Sequence, residues 1–151
     1  MKFTSNARKI VVTISLCLTA LTPTLAREIV SIKGSVVNMR AGPSTQAEAL
    51  WQLEKGYPLQ VLKRQGNWLH VRDFENDRGW VARSLTGNTP HHVVKSAVAN
   101  IRQGPGMQHR IIGKAERLEV VRTRGKKSGW VRIERSDGQT GWMAKRLLWG
   151  W

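Results

Sequence analysis

The sequence predicts an all-β protein built as two small closed barrels, each of about five to six short strands. Three observations support this prediction. The stretch Asn38–Ser44 recurs 62 residues later as Asn100–Gly106. Short segments that alternate apolar and polar residues are separated by glycine, asparagine and aspartate turns. Beyond residue 26, no segment keeps a helical period for about ten residues. We therefore expect one folded unit in two copies.

The repeat extends through most of the chain. Val61 matches Val120 at an offset of 59 rather than 62. This shift predicts a short deletion in the second copy that a later insertion of equal length restores. Two versions of one folded unit would show such a cancelling drift. The positions that match at the offset of 62 are Trp68 with Trp130, Gly79-Trp80 with Gly141-Trp142, Ala82 with Ala144, and Leu85 with Leu147.

The first 26 residues have the pattern of a secretory signal peptide. Three basic residues precede the apolar run Ile10–Leu21, and Pro23–Ala26 offers small residues for cleavage. The run is shorter than the roughly 20 apolar residues that span a bilayer, although an uncleaved anchor is the alternative. The single cysteine, Cys17, lies within this segment. We expect an exported protein, periplasmic or extracellular, that has no disulfide after cleavage.

The remaining residues divide into two domains and a linker. We expect the first domain at 27–86, the linker at 87–90 and the second domain at 91–151. A unit of about 60 residues is near the lower limit for an independent core, so closure into a barrel or contact with a neighbour is needed. The linker is short, and the barrels should therefore touch or hold a limited range of angles.

Positive charge is concentrated in the second copy. Residues 27–151 carry 22 basic and 10 acidic side chains, a net charge of +12. Residues 27–88 account for +3 of this charge and residues 89–151 for +9. A basic exported protein attracts polyanions such as cell-wall polymers, lipid headgroups or lipopolysaccharide, and nucleic acid is not expected as a partner. The alternative is a solvated basic surface with no specific partner.

Alternation and turn residues place the individual strands. The strands predicted in the first copy are Val36–Arg40, Ala49–Leu53, Leu59–Lys63, Trp68–Arg72 and Trp80–Arg83. Those predicted in the second copy are Val98–Arg102, Arg110–Lys114, Leu118–Arg122, Trp130–Glu134 and Trp142–Lys145. Helix is limited to a possible single turn at Ser84-Leu85 and at Arg146-Leu147.

These motifs resemble the bacterial SH3 domain. The resemblance rests on Asn-x-Arg-x-Gly-Pro near the start of each copy and Gly-Trp near its end, and it covers nearly all of the chain after residue 26. Val37–Ser44 with Asp77–Val81 is the fuller match, whereas the second copy has Gly106 and Met143 at two of these positions. The resemblance implies an SH3-like barrel and, often, a cell-wall-binding role beside a catalytic domain. It does not carry over the proline-rich-peptide site of eukaryotic SH3 domains.

The motif residues divide into turn residues and candidate ligand-binding residues. Gly-Pro suits a sharp exit from a strand, and the asparagine amides are expected to hydrogen-bond turn backbone. The predicted turn residues are Asn38, Gly42, Pro43, Asn100, Gly104 and Pro105. Arg40 and Arg102 fall on the polar side of their strands. They either grip a ligand carboxylate or fix the loop through an internal ion pair or stacking on a tryptophan.

Four tryptophans are the other candidate ligand-binding residues. Trp68 and Trp80 in the first copy, and Trp130 and Trp142 in the second, fall on neighbouring strands and on the polar side. Flat aromatic surface beside arginine commonly holds sugar rings or extended peptides. The alternative is that these indoles close the open end of the barrel. Trp149-Gly150-Trp151 either folds back over the second barrel or the junction, or forms an exposed aromatic tail.

Catalytic and metal-binding patterns are not found. The sequence has no Gly-x-Ser-x-Gly stretch, and its histidines lack metal-ligand spacing. Asp73, Glu75 and Asp77 cluster in one loop with Arg72 and Arg78, which favours neutralised loop charge over a carboxylate pair. We therefore expect no enzyme activity, no cofactor and no metal site.

Two functions remain for this sequence. The first is a non-enzymatic exported module that binds peptidoglycan or another cell-wall ligand through its tryptophans and arginines. The alternative is an envelope scaffold that docks an exported enzyme or envelope protein through the same face. Neither function requires stable membrane insertion once the signal is removed. Because fold alone does not determine function, the first hypothesis depends on the resemblance.

Overall fold

The computed structural model describes residues 26–151, and these residues form two separate antiparallel sheets of seven strands each. The predicted signal peptide lies outside the described residues except for its last residue. Within the described part, no helix is long and apolar enough to cross a membrane. The chain is all-β, as its alternation predicts.

The first sheet has the strand order β3-β2-β6-β5-β4-β1-β7. Its strands are β1 Ile29–Ile32, β2 Val36–Arg40, β3 Ala49–Glu54, β4 Pro58–Gln65, β5 Trp68–Arg72, β6 Arg78–Ala82 and β7 Thr86–Gly87. A single 3-10 turn, Arg83–Leu85, separates β6 from β7. The segment that leads to the second sheet comprises residues 88–90.

The second sheet repeats this order as β10-β9-β13-β12-β11-β8-β14. Its strands are β8 His91–Val94, β9 Val98–Arg102, β10 Ile111–Glu116, β11 Val120–Lys127, β12 Trp130–Glu134, β13 Thr140–Ala144 and β14 Leu148–Gly150. The matching 3-10 turn is Lys145–Leu147. Both predicted helical turns are therefore present.

Every strand of the second sheet begins 62 residues after its counterpart. The predicted deletion and insertion are wrong, because Val61 is equivalent to Thr123 and not to Val120. The two residues oppose matching partners, Val71 and Ile133, and each precedes a bulge in its strand pair. The match between two valines was misleading, since similar apolar residues recur in every strand. Leu118, predicted to start a strand, lies in the turn before β11.

Alternate residues of the central strands form the two cores. In β5 the burial alternates so that Leu69 and Val71 are buried and Trp68, His70 and Arg72 are half-buried. β2, β6, β12 and β13 show the same alternation. Each fully buried aliphatic side chain contributes about 1.5–3 kcal/mol relative to an exposed one. Among the side chains with no more than 1% exposure are Met39, Leu59, Leu69, Val71, Val81, Ile101, Val121, Val131, Ile133 and Met143.

The glycine of each Gly-Trp motif lies where two strands approach closely. A Cβ added at Gly79 would come within 2.6 Å of the Met39 side chain and 2.9 Å of the Arg40 carbonyl oxygen. A Cβ at Gly141 would come within 2.3 Å of the Ile101 side chain. The motif therefore permits the pairing of β6 with β2 and of β13 with β9.

The first strand of each barrel was not predicted from the sequence. β1 is buried along its whole length, and β8 is buried at three of its four positions, so neither shows alternation. The short β7 and β14 then pair with β1 and β8. These additions raise the number of strands in each unit above the five to six that alternation indicates.

The two barrels pack against each other. Val93 of the second barrel is buried in the core cluster of the first, and Val120 and Trp149 pack against the same cluster. The Trp151 indole N–H donates to Ser31 Oγ at 3.0 Å. The C-terminal tryptophans thus fold back over the junction, which is one of the two arrangements expected for them.

Candidate functional site

Each barrel presents two indoles on neighbouring strands, on the face opposite its core. Trp68 of β5 pairs with Ala82, and Trp80 of β6 pairs with His70, so the two tryptophans are diagonal neighbours. The pairing of β12 with β13 gives Trp130 and Trp142 the same relation. All four indoles are half-buried. Each side chain therefore keeps part of its surface exposed to solvent.

A cross-strand row of basic and aromatic side chains crosses each barrel. In the first barrel Arg40 pairs with Trp80, and Trp80 pairs with His70. The His70 ring stacks on Trp80 with a centroid separation of 4.9 Å. In the second barrel the row is Arg102, Trp142 and Arg132. Arg132 occupies the position of His70, which gives the second row two guanidinium groups.

The motif arginines bond to the backbone of the loop that follows their strand. Arg40 donates from Nη1 to the Ala47 carbonyl oxygen at 2.8 Å. Arg102 donates from Nη1 to the carbonyl oxygens of Met107 and His109 at 3.0 and 2.8 Å. Only 9% of Arg102 is exposed. Loop fixation is therefore the contact that the structure displays, and ligand binding by these arginines stays a prediction.

The predicted turn residues lie at two kinds of position. Asn38 and Asn100 are within strands, opposite Gln52 and Lys114. The two Gly-Pro pairs follow β2 and β9, as expected for strand exits. The carbonyl oxygen of each glycine accepts a hydrogen bond from a backbone N–H two residues later; the donors are those of Ser44 and Gly106.

A cavity of about 770 Å³ lies between the second barrel and the N-terminal end of the first, where its lining includes Arg27. We call it the junction cavity. Three tryptophans line it: Trp130 of β12, Trp149 of β14 and Trp151 after β14. Its basic lining residues are Arg27, Lys95, Lys145 and Arg146. Among the described residues, no aspartate or glutamate lines the cavity.

A contact between Arg27, near the first described residue, and Trp149 supports the aromatic wall of this cavity. The Arg27 guanidinium carbon lies 4.1 Å from the centre of the Trp149 ring, a cation–π contact. A second cavity of about 680 Å³ shares Arg27, Lys145 and Trp151 with the first. Trp151 therefore stands between two cavities along the barrel junction.

The pKa values of two residues that line the cavity, His92 and Arg27, are lowered. The pKa of His92 is lowered to about 4, chiefly by burial and then by the nearby charges of Lys126 and Lys145. A hydrogen bond with the Trp151 backbone opposes this shift, and His92 Nδ1 lies 2.7 Å from Thr123 Oγ1. Burial also lowers the pKa of Arg27. The wall therefore disfavours additional positive charge.

Sequence reasoning identified Trp130 but missed the residues that surround it. Arg27, Lys145 and Arg146 were recognised only as part of the net charge, and His92 only as a residue without metal-ligand spacing. The available signal was the repeat itself. Trp149 and Trp151 have no aromatic counterparts at Gly87 and Thr89 in the first copy, which marks the second barrel as the one that carries an addition.

The acidic loop of the first barrel is occupied by internal contacts. The Asp73 carboxylate accepts hydrogen bonds from the Tyr57 hydroxyl, at 3.3 Å, and from the backbone N–H groups of Glu75 and Asp77. Its pKa is raised, chiefly by burial. Glu75 pairs with Arg117 of the second barrel at 2.5 Å. The side chains expected to neutralise this loop, Arg72 and Arg78, instead donate to the Asn76 amide oxygen.

Two family profiles, each described as "Bacterial SH3 domain", match residues 33–87 and 96–148. The chain belongs to the bacterial SH3 domain family. It carries two tandem bacterial SH3 domains, and each match lies within one sheet and begins after its first strand. The resemblance in the motifs is confirmed by these matches.

One curated relative of this tandem pair is a Bacillus subtilis (strain 168) protein named as a candidate N-acetylmuramoyl-L-alanine amidase, YrvJ. It is 25% identical over a compared length of 123 residues, and the match covers 74% of this chain and 24% of that protein. The tandem bacterial SH3 domains therefore span about a quarter of the length of the curated relative.

Similar solved structures include NlpC1 from Trichomonas vaginalis and an NlpC/P60 family protein from Bacillus cereus ATCC 10987. NlpC1 is 18% identical, with a TM-score of 0.38, over 90% of this chain and 50% of that one. The Bacillus cereus protein is 13% identical, with a TM-score of 0.39, over 81% of this chain and 56% of that one. The tandem pair spans about half of each.

Proposed function

We propose that this protein is a non-enzymatic exported binding module that recognises peptidoglycan or another cell-wall ligand. The observation that carries the proposal is the repeated pair of half-buried tryptophans on the solvent side of both barrels. Two copies of one pair give two attachment points on a repetitive polymer, and linked sites bind more tightly than either alone.

The family and its relatives support the same proposal. Bacterial SH3 domains are cell-wall-binding modules, and the curated relative is named for an enzyme that acts on a muramoyl–alanine bond. The matched segments of this chain are both bacterial SH3 domains. The basic second barrel adds long-range attraction to the negative charges of cell-wall polymers.

A scaffold that docks an exported enzyme or envelope protein is the second candidate. One observation favours it. Trp51 and Leu118 are 54% and 46% exposed, and both line a cavity of about 260 Å³ where the two barrels meet. Large exposed apolar side chains at one place are typical of protein-binding surfaces.

Retention on purified sacculi at two salt concentrations tests the proposal. We expect the protein to be retained at about 0.1 M and still at about 0.3 M salt, because stacking on tryptophan is not screened as exposed ion pairs are. The Trp68→Ala/Trp130→Ala variant should lose this retention. Retention of the wild type that vanishes at the higher salt would indicate unspecific charge. No retention, with recovery of a single envelope protein, would favour the scaffold.

A further inference from the structure

We propose that the junction cavity binds an acidic saccharide, a ligand whose sugar rings carry carboxylate or phosphate groups. The inference rests on the proposed function and deepens it, because it names one site and one ligand class. It also makes the two barrels unequal. The second barrel, together with residues from both ends of the described chain, holds the ligand.

The aromatic part of the argument comes from three indoles around one cavity. Trp130, Trp149 and Trp151 are all half-buried, so each is fixed in place and still shows part of its surface. Sugar rings and indoles bury apolar faces against each other, and pockets that hold small molecules combine such faces with a few polar groups. The equivalent tryptophan of the first barrel, Trp68, has no such partners.

The charge of the cavity specifies an anion. Lys95, Lys145 and Arg146 are exposed side chains at its wall. The ion pairs of the described residues use other arginines, those at positions 64, 117, 124 and 135. The cavity cations are therefore available to donate to a ligand carboxylate or phosphate. A neutral oligosaccharide would leave this charge unmatched.

The buried histidine behind the wall, His92, has a pKa that is lowered chiefly by burial and then by nearby positive charges. His92 faces Lys126 and Lys145, with His91 beside it on β8 and the Trp151 backbone against its ring. Positive charges that oppose protonation of this ring favour a negative group at the same place. A bound anion would offset them and raise the pKa of His92.

The cavity depends on features that the first barrel lacks. Gly150 has a φ of +147°, and a Cβ there would lie 2.4 Å from the His91 carbonyl oxygen. A glycine is therefore required for β14 to run this close to β8 while Trp149 and Trp151 flank it. The Trp151 hydrogen bond to Ser31 then ties the wall to the first barrel. The equivalent of Gly150 in the first copy is Asn88.

Calorimetric titration of the purified protein with three probes tests the ligand class. The probes are a disaccharide-tetrapeptide muropeptide, a glucosamine disaccharide bisphosphate and the uncharged chitotetraose. We expect at least one charged probe to bind about tenfold or more tightly than chitotetraose. The charged probe that binds more tightly shows whether the cavity prefers a saccharide with carboxylate groups or one with phosphate groups. Equal affinity for all three would overturn the proposal.

Matched variants locate the site. We expect Trp130→Ala and Lys145→Ala/Arg146→Ala each to weaken binding about tenfold. The control is Arg83→Ala, which changes the position equivalent to Lys145 outside the cavity and should alter affinity less than about twofold. Lys145 and Arg146 are exposed, so their removal should leave the thermal midpoint of unfolding unchanged. Equal losses from Trp68→Ala and Trp130→Ala would contradict the assignment of the site.

The same variants separate this inference from the proposed function. The wild type and Lys145→Ala/Arg146→Ala could be retained on sacculi equally, whereas Trp68→Ala is not retained. The cell wall would then be bound outside the junction cavity, and the inference would fail. If the wild type is not retained but binds a charged probe through Trp130, the cell-wall function fails and the inference stands. Binding of a charged probe should also raise the pKa of His92, as followed by its ring proton signals.

Discussion

The two barrels share one backbone and differ in the chemistry placed on it. In the first, the Tyr57 hydroxyl donates to the buried Asp73 carboxylate. At the equivalent positions of the second, Glu119 pairs with Arg135 at 2.6 Å and both side chains are 26% exposed. The contact is kept and its chemistry is replaced. A hydrogen-bonded pair in one barrel is thus replaced by an ion pair in the other without a change of fold. The comparison indicates that the fold is defined by the alternation of core residues and by turn geometry, and not by the identity of these polar pairs.

The turns show the same separation of geometry from residue identity. Asn76 and Gly138 occupy equivalent left-handed positions, with φ values of 70° and 86°. Gly56 and Leu118 form another such pair, with φ values of 86° and 72°. Asparagine and glycine adopt this conformation readily, whereas leucine is strained there. The turn of the second barrel is therefore strained at Leu118, whereas the equivalent turn of the first barrel, with Gly56, is not.

Loss of the polar anchor should affect the first barrel far more than the second. Asp73→Ala removes the acceptor of the Tyr57 hydroxyl and of two backbone N–H groups, and we expect a loss of about 3–4 kcal/mol in the free energy of unfolding. Arg135→Ala breaks a partly exposed ion pair and should cost about 1 kcal/mol or less. Urea unfolding measures both. Equal losses would mean that the two anchors are energetically alike.

Acid should weaken the second barrel through His92. Its pKa of about 4 lies below the unfolded value of 6.5, so the unfolded chain binds more protons between these values. The contribution of uncharged His92 to the free energy of unfolding is complete above about pH 6.5 and falls by about 3 kcal/mol as the pH approaches 4. The raised pKa of Asp73 in the first barrel acts in the opposite direction, adding stability as the pH falls through the range just above 3.8.

The variant His92→Val gives the second barrel the residue that the first has at Val30 and should flatten this pH dependence. Thermal unfolding between pH 7 and 4 measures the slope. An unchanged slope in the variant would assign the acid sensitivity to another group.

The strained turn should respond in opposite directions to opposite substitutions. Leu118→Gly relieves the left-handed conformation and should stabilise the protein by about 1 kcal/mol. Gly56→Ala should destabilise it by more than about 1 kcal/mol, since the Cβ would lie 2.8 Å from the His91 ring. Midpoints of urea unfolding provide the measurement. A destabilised Leu118→Gly would show that the leucine makes contacts worth more than its strain.

The ion pair between the barrels should have the smallest effect. Arg117 and Glu75 are 45% and 44% exposed at their side chains, so Glu75→Gln, which leaves the other contacts of Arg117 in place, should cost about 0.5 kcal/mol or less. The difference from wild type should shrink further in about 1 M salt. A loss above about 2 kcal/mol would mean that this pair, rather than the apolar contacts of Val93, Val120 and Trp149, holds the barrels together.

The fold could be predicted from the sequence, whereas the junction cavity could not, and the difference has a physical reason. The alternation of apolar and polar residues located the central strands, because one face of these strands is buried and the other faces solvent. It missed β1, which is buried along its whole length. The junction cavity combines Arg27 with Trp151, and a local motif carries no information on contacts between residues so far apart. Trp130 was found because it stands on an alternating strand.

The indole N–H signals of the seven tryptophans, followed by nuclear magnetic resonance during titration with a muropeptide, test the central claim most directly. We predict that the signals of Trp130, Trp149 and Trp151 shift the most, with smaller changes at Trp68 and Trp80. Equal shifts in both barrels, or shifts confined to Trp68 and Trp80, would contradict the assignment of the ligand to the junction cavity.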